Sequence, residues 1–136
     1  MAPQQHFTLG KTERLKSRKR IDQLFKEGKA FSVSPLRVLY TFPPNAPSSL
    51  QAGFSASSRN FKKAVDRNRI KRLTREAYRL KKNELEQVLT VNKTNLTLFL
   101  IYTGKVLPEY TLMEEKMQVV INKLIMAVYE QNPPNT

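Results

Sequence analysis

Basic side chains recur at close spacing in residues 64–82, which read AVDRNRIKRLTREAYRLKK. Arginine is the main cation here, and its planar guanidinium can donate two parallel hydrogen bonds to a phosphate. Between residues 59 and 82, eleven basic side chains stand against only Asp66 and Glu76. Such a local excess of one sign is typical of a surface that binds a polyanion.

The charge of the whole chain supports the same interpretation. The 136 residues carry a net charge of +13, yet residues 83–136 hold six acidic and only four basic side chains. A nucleic acid is therefore the favoured partner, with an anionic membrane surface and a merely solvated helix face as the alternatives.

No residue pattern suggests catalysis by the polypeptide itself. Cysteine is absent, which excludes thiol catalysis, disulfides and zinc thiolate sites. Asp22, Asp66 and Glu76 have roles in capping or pairing, and His6 stands alone near the N-terminus. A nuclease that uses two metal ions needs clustered carboxylates, and none are clustered here.

The elements that carry these residues follow from local patterns. Ser17 is a good helix N-cap and Gly28 a left-handed stop, which predicts a first helix over 17–27. Its apolar positions are Ile21, Leu24 and Phe25.

Three segments have strand patterns. Residues 36–42 and 50–57 alternate apolar and polar side chains, and the Pro-rich loop 43–49 joins them. We expect these two strands to be antiparallel neighbours. Residues 95–103 are apolar on both faces, which predicts the central strand of the sheet.

A last helix is predicted over 111–130. Thr111 and Glu114 form a capping box at its start. Its core-facing stripe is Leu112, Met117, Val120, Leu124, Ala127 and Val128. Residues 131–136 are predicted to be a disordered tail. The longest apolar run, 96–102, is too short to span a bilayer, and the N-terminus lacks a secretion signal, so we expect a cytoplasmic protein.

The basic segment is itself predicted to be a helix with two sides. At about 100° per residue, Ile70, Leu73, Ala77 and Leu80 share one apolar side. Opposite them lie Arg67, Asn68, Lys71, Arg72, Arg75, Arg79 and Lys82. Asp66 is the predicted N-cap, which places Arg67 to Arg69 in the first turn. The order of elements predicts one α+β domain over residues 1–130, with three helices on a small mixed sheet as an α-β sandwich.

Residues 64–79, AVDRNRIKRLTREAYR, resemble the signature helix of the protein subunit of bacterial ribonuclease P. The similarity extends upstream to ERLKSRKRIDQLFKEGKAFS at 13–32, which resembles the first helix of that family. Residues 95–130 match its final strand and helix in pattern only. The resemblance covers about residues 7–130.

The resemblance implies a ribonucleoprotein that removes the 5′ leader from precursor tRNA. In that family, a catalytic RNA subunit hydrolyses the phosphodiester with divalent metal, and the protein assists. The implied partners are this RNA and precursor tRNA. Mg²⁺ would be held mainly by the RNA subunit. In the absence of RNA, the protein would be monomeric. A left-handed βαβ crossover through the basic helix is also implied, against the usual right-handed rule.

The predicted site residues form two groups. Contacts with the catalytic RNA are assigned to Arg67, Asn68, Arg69, Lys71, Arg72 and Arg75, with Arg79 at their periphery. A groove for the single-stranded leader, where the first helix meets the open face of the sheet, is assigned to Phe25, Tyr40, Arg59 and Lys63. Core packing explains Phe25 as well as a leader contact does, and for Tyr40, on a strand with Val38 and Phe42, core packing is the favoured explanation. Lys81 and Lys82 are expected to contribute only peripheral electrostatics.

Two other functions fit the basic surface. One is a general RNA-binding or ribosome-associated protein without processing activity. The other is a sequence-specific DNA-binding protein, although such proteins interleave base-reading side chains in a helix that follows another helix. Here a strand and a basic loop precede the helix.

Overall fold

A mixed four-stranded sheet with three helices makes up the described part of the chain. The computed structural model describes residues 13–46 and 49–131. Its helices are α1 (Arg18–Glu27), α2 (Ala64–Val91) and α3 (Tyr110–Gln131), and its strands are β1 (Lys29–Val33), β2 (Leu36–Thr41), β3 (Leu50–Ala56) and β4 (Leu96–Tyr102). The predicted α+β fold is confirmed.

The strands lie in the order β1-β2-β4-β3. β4 pairs antiparallel with β2 and parallel with β3, so its predicted central place is confirmed. The prediction that β2 and β3 are antiparallel neighbours is wrong, because β4 lies between them. The physical reason is burial: Leu98 and Leu100 on one face of β4 and Phe99 on the other are all covered, as is typical of a strand in the middle of a sheet with helices on both faces.

The strand β1 was not predicted from the sequence. It forms an antiparallel hairpin with β2 through Ser34 and Pro35, whose peptide bond is cis. Its alternating strand pattern is short, since only Phe31 and Val33 alternate with small polar or exposed residues. Five residues on a sheet edge bury too little apolar surface to produce a strong pattern.

Each face of the sheet packs against different helices. On the core face, Leu36, Val38, Leu98 and Leu100 form one cluster with buried side chains of α2 and α3. On the opposite face, which we call the α1 face, a smaller cluster contains Leu15, Leu24, Leu39 and Phe99. Leu24 is the only buried residue of α1, so α1 is held to the sheet over a small area.

The ends of α1 are set by two local contacts. Ser17 is the N-cap, as predicted, and its hydroxyl accepts a hydrogen bond from the Arg20 N–H at 3.4 Å. Gly28 ends the helix but its φ is −70°, so the predicted left-handed stop is wrong. Glycine fits there for another reason, because a Cβ would collide with the Leu24 carbonyl oxygen.

The basic helix α2 is longer than predicted and starts earlier. Its N-cap is Lys63, and Asp66 lies inside the first turn, so the predicted Asp66 cap is wrong. The helix continues to Val91 because Leu85 and Leu89 bury completely in the core cluster. α2 joins β3 to its parallel neighbour β4, which makes the predicted βαβ unit; the left-handedness of the crossover stays a prediction.

The buried side of α2 is rotated from the predicted one. Ile70 and Ala77 are buried as expected, but Leu80 is 45% exposed and Leu73 only half-buried. Thr74 and Tyr78 are buried instead. Thr74 can lie on this side because its hydroxyl donates to the Ile70 carbonyl at 2.8 Å.

The helix α3 follows its prediction with differences at both ends. It begins at Tyr110 rather than at a capping box on Thr111, and the predicted core residue Leu112 is exposed. The other predicted stripe residues are buried. Gln131 belongs to the helix rather than to a tail. Residues 132–136, and His6, lie outside the described residues.

The segment before α1 crosses the outer edge of β3. The Leu15 N–H donates to the Ala52 carbonyl at 2.9 Å, and Arg14 and Ala52 form a parallel bridge. Gly53 allows this approach, because a Cβ there would lie 2.6 Å from Cδ2 of Phe99 and 3.3 Å from the Leu15 carbonyl oxygen. Residue 53 must therefore lack a side chain.

Gly53→Ala is expected to lower the free energy of unfolding by about 1–3 kcal/mol, because Phe99 and the segment at Leu15 must shift to admit the methyl group. Chemical denaturation followed by circular dichroism measures the change. Ser55→Ala, two residues along the same side of β3, is the matched control and should be close to wild type. Equal stability of the Gly53→Ala protein and wild type would contradict the described packing.

Candidate nucleic-acid interface

One side of α2 exposes a row of cations near the start of the helix. Asn68, Arg69, Arg72 and Arg75 are exposed, and Lys71 is half-buried. On a helical wheel the three arginines cover an arc of about 120°. Within residues 13–46 and 49–131, Arg69, Lys71 and Arg72 make no salt bridge or side-chain hydrogen bond. Their donors can therefore bind an external anion.

Arg67 has a different environment from the other predicted contacts. Its Nη1 donates to the carbonyl oxygens of Phe61 and Lys62, both at 2.8 Å. These bonds tie the loop before α2 to the first turn of the helix. Arg67 thus holds Lys62 and Lys63 in place beside the exposed arginines, and its own charge remains at the surface of the loop.

Two arginines further along the helix contact other side chains. The guanidinium of Arg75 lies 5.9 Å from the ring centroid of Phe54, which leaves its outer edge accessible. Arg79 pairs with Glu76 through two hydrogen bonds. Hydrogen bonding from Arg79 lowers the pKa of the Glu76 carboxyl, so the carboxylate stays ionised and offsets the charge of Arg79.

Lys82 does not belong to the surface at all. Its side chain is fully buried, and its Nζ lies 2.7 Å from Oε1 of Glu13 and 3.1 Å from Oε1 of Glu86. The prediction of a peripheral electrostatic role for Lys82 is therefore wrong. Its neighbour Lys81 fits that prediction only in part, because its Nζ lies 3.2 Å from Oε1 of Gln118 on α3.

An open groove of about 790 Å³ lies where the parallel strands β3 and β4 end and α2 begins. Its polar lining residues are Ser55, Ser57, Ser58, Arg59, Asn60, Thr103 and Lys105, and Ile101 supplies an apolar wall. Carboxyl ends of parallel strands are a common place for ligands in α/β sheets. The groove carries cations and hydroxyl donors and is continuous with the loop that Arg67 holds.

The walls of this groove are tied together by hydrogen bonds. Nδ2 of Asn60 donates to the carbonyl oxygens of Thr103 and Gly104, at 3.0 and 3.2 Å. The Tyr102 hydroxyl donates to the Val106 carbonyl at 2.6 Å, and burial raises the pKa of this phenol. The loop after β4 and the loop before α2 therefore form one ordered surface.

The four predicted leader-groove residues do not all come together. Phe25 is 52% exposed on the α1 face, and its ring meets Phe99 edge-on with centroids 5.6 Å apart. Arg59 lines the groove beside that face. Lys63 lies at the N-cap of α2.

Tyr40 lies on the other side of the sheet. Its ring is between Phe31 and Phe42, with centroid distances of 5.8 Å to each, and it packs against the core cluster. Burial and the nearby Glu130 of α3 raise its pKa. Alternation along β2 explains this placement, because Tyr40 shares a face with Leu36 and Val38.

Several groove residues were missed from the sequence. Asn60, Thr103 and Lys105 were not predicted, because residues on separate loops reach one groove only through the parallel pairing of β3 with β4. A usable pattern was nevertheless present: Lys105 comes two residues after the predicted central strand, and Arg59 comes two residues after the predicted strand 50–57.

The carboxylates present do not form a metal site. Among the described residues there is no group of three His, Cys, Asp or Glu side chains that could hold a metal ion. Mg²⁺ in phosphate-binding sites is commonly held by one or two carboxylates, water and phosphate oxygens. The described residues therefore supply no cage for Mg²⁺ made of protein ligands alone. None of the helices in this part of the chain has an apolar stretch that could span a lipid bilayer.

Comparison with known sequences gives a consistent result. Residues 9–125 match the protein family described as Ribonuclease P. A "Ribonuclease P protein component" of Porphyromonas gingivalis is 43% identical over 115 residues, which cover 82% of this chain and 82% of that protein. The protein of the same name from Chlorobium phaeobacteroides is 30% identical over 131 residues, with 86% and 88% covered.

Comparison with solved structures shows the same fold. The ribonuclease P protein of Staphylococcus aureus superposes with a TM-score of 0.64 at 18% identity, covering 84% of this chain and 96% of that one. The protein of Thermotoga maritima gives a TM-score of 0.64 at 23% identity, with 82% and 96% covered.

Proposed function

The chain belongs to the ribonuclease P protein family, and from this premise we propose how its surfaces serve a ribonucleoprotein endonuclease. It is the RNA-binding protein component of ribonuclease P. In this role it binds the RNA subunit through α2 and holds the 5′ leader of precursor tRNA on the α1 face. The RNA subunit cleaves the phosphodiester bond.

One observation carries the proposal: the exposed arc of Arg69, Arg72 and Arg75, with unpaired Lys71 at its edge. An exposed helix side normally mixes signs, and an arginine without a carboxylate partner has its donors available for phosphate. Each phosphate that such a side chain neutralises releases counterions from the RNA, so binding is tighter and more sensitive to salt.

The α1 face suits a single-stranded leader. The exposed ring of Phe25 offers a base-stacking surface of the kind used by proteins that bind single strands. Arg59, Lys105 and the hydroxyl groups of the groove at the start of α2 are placed for the sugar-phosphate backbone. Tyr40, on the opposite face, is assigned to packing rather than to the leader.

The polypeptide assists and does not hydrolyse. Its described residues supply cations, amides and hydroxyl groups but no carboxylate cluster for metal-assisted hydrolysis. We assign the Mg²⁺ of the holoenzyme mainly to the RNA subunit, with the protein lowering the repulsion between phosphates around it. We further propose that the chain is a cytoplasmic monomer without RNA and that residues 1–130 act as one domain.

Reconstitution tests the function directly. The protein, a bacterial ribonuclease P RNA subunit and precursor tRNA are mixed at limiting Mg²⁺, and release of the 5′ leader is followed on a gel. Leader release should require the RNA subunit and should be stimulated by the protein. Cleavage by the protein alone would reveal a nuclease site in the chain. RNA binding without stimulation would favour a general RNA-binding protein, and a preference for duplex DNA would favour a DNA-binding one.

Removal of single charges tests the α2 contacts. Arg69→Gln and Arg72→Gln are each expected to weaken binding to the RNA subunit and to lower the slope of log affinity against log salt by about one. Affinities are measured by filter binding over a range of KCl concentrations. Lys93→Gln, two residues beyond the opposite end of α2, removes the same charge and should leave the slope close to wild type. Unchanged slopes in both arginine variants would reject the assignment.

Removal of one aromatic ring tests the leader groove. In the reconstituted holoenzyme, Phe25→Ala is expected to weaken binding of leader-bearing precursor tRNA by about 1 kcal/mol or more, the scale of one base stack. Binding of mature tRNA, which has no leader, should not change. Tyr40→Phe keeps the core packing and should match wild type in both assays. Equal losses for precursor and mature tRNA in Phe25→Ala would contradict a leader contact.

A further inference from the structure

Lys82 is a buried cation that the RNA-binding surfaces do not use. Lysine is rarely buried without partners, because removal of an ammonium group from water is costly. Here its Nζ contacts two carboxylates: Glu86, one turn along α2, and Glu13, 69 residues away in the chain. The ion pair with Glu86 lies within α2, whereas the contact with Glu13 joins α2 to the segment that precedes α1.

Glu13 lies at the start of the segment that crosses the edge of β3. Two residues later, the Leu15 N–H donates to the Ala52 carbonyl, and the Leu15 side chain is buried on the α1 face. Two residues after that, Ser17 caps α1. Residues 13–17, which we call the strap, thus run from α2 on the core side of the sheet to α1 on the other side.

α1 has few other anchors. Leu24 is its only buried side chain, and Arg20 adds a hydrogen bond to Gln51 of β3. The helix is also basic, with Arg18, Lys19, Arg20 and Lys26 against two acidic residues, so the cations of α2 do not attract it. The Glu13–Lys82 contact is an attraction between oppositely charged groups that links the segment before α1 to α2.

Because of this arrangement, we infer that Lys82 is a positioning residue: through Glu13 it fixes the register of the strap on β3 and so the place of α1 and Phe25 over the α1 face. A buried charged pair contributes little net stability compared with apolar packing, but it can favour one arrangement of the chain over others. An apolar residue at position 82 would bury equally well and would leave the strap free to slide along β3. The functional part of this inference rests on the proposed function.

Two variants break the contact from opposite ends. Lys82→Met keeps the apolar length of the side chain and removes the charge, while Glu13→Ala leaves Lys82 paired with Glu86 and so protects the fold. Lys81→Met is the matched control for the lysine, since it is the next residue and loses the same charge. Glu84→Ala, an exposed carboxylate on α2, is the matched control for Glu13.

Hydrogen exchange of the full-length protein, without any RNA, measures how firmly the strap is held on β3. Lys82→Met and Glu13→Ala are expected to speed exchange of the Leu15 and Ile21 amides by roughly tenfold, and the double variant should be no faster than Lys82→Met, because that variant already lacks the Glu13–Lys82 contact. The two controls should exchange like wild type. Wild-type exchange at Leu15 in both Lys82→Met and Glu13→Ala would overturn the inference.

The effect on leader binding is measured with the reconstituted holoenzyme. For each variant, the affinity for leader-bearing precursor tRNA is divided by the affinity for mature tRNA. This ratio is expected to fall about three- to tenfold in Lys82→Met and Glu13→Ala, which is the scale of a coupling of about 1 kcal/mol, while affinity for the RNA subunit stays within the change seen for Lys81→Met.

The two readouts separate the possible failures. Faster exchange with an unchanged ratio would overturn the role of Lys82 in placing the groove. An equal loss for precursor and mature tRNA would do the same, because it indicates general loosening. If wild-type holoenzyme shows no preference for leader-bearing tRNA, the proposed function fails, and the exchange result alone still decides whether Lys82 holds the strap.

Discussion

Burial of β4 on both faces is the constraint on which the rest of this structure depends. A strand of this kind must lie inside the sheet, with β2 on one edge and β3 on the other. Its pairing with β3 is parallel, and a parallel pair needs a crossover. α2 is that crossover, so its first turn begins beside the carboxyl ends of both strands. The groove and the exposed arginines are neighbours for this reason.

The two ends of α2 make opposite contributions to the stability of the fold. Near its start, like charges at four-residue spacing cost roughly 0.2–0.5 kcal/mol per pair, or about 1 kcal/mol for the three pairs from Arg67 to Arg79. Near its end, Leu85 and Leu89 are completely buried, and each contributes about 1.5–3 kcal/mol. Burial at one end thus outweighs repulsion at the other, and the helix can present unpaired cations because the core holds it. A bound polyanion would remove the remaining repulsion.

The two faces of the sheet differ in how firmly they are covered. Two long helices and a large apolar cluster seal the core face, whereas one short helix and a small cluster cover part of the α1 face. The lightly covered face keeps room for a ligand, and its helix depends on connections at its ends. The strap, held by Leu15 on β3 and by Glu13 on Lys82, is such a connection. The position of a weakly packed helix beside a binding surface can change without disruption of the hydrophobic core.

Local patterns in the sequence determined the helices, the central strand, the Ser17 cap and the family, because these depend on residues a few positions apart. Tertiary structure decided which strands pair, which face Tyr40 occupies and how α2 is rotated. Lys82 illustrates the difference. On a helical wheel it belongs to the cationic side, yet it is buried between Glu86 on its own helix and Glu13, which is 69 residues away in the chain. Spacing along the chain predicts what a residue can do within its own element, whereas its partners across the fold depend on how the elements pack.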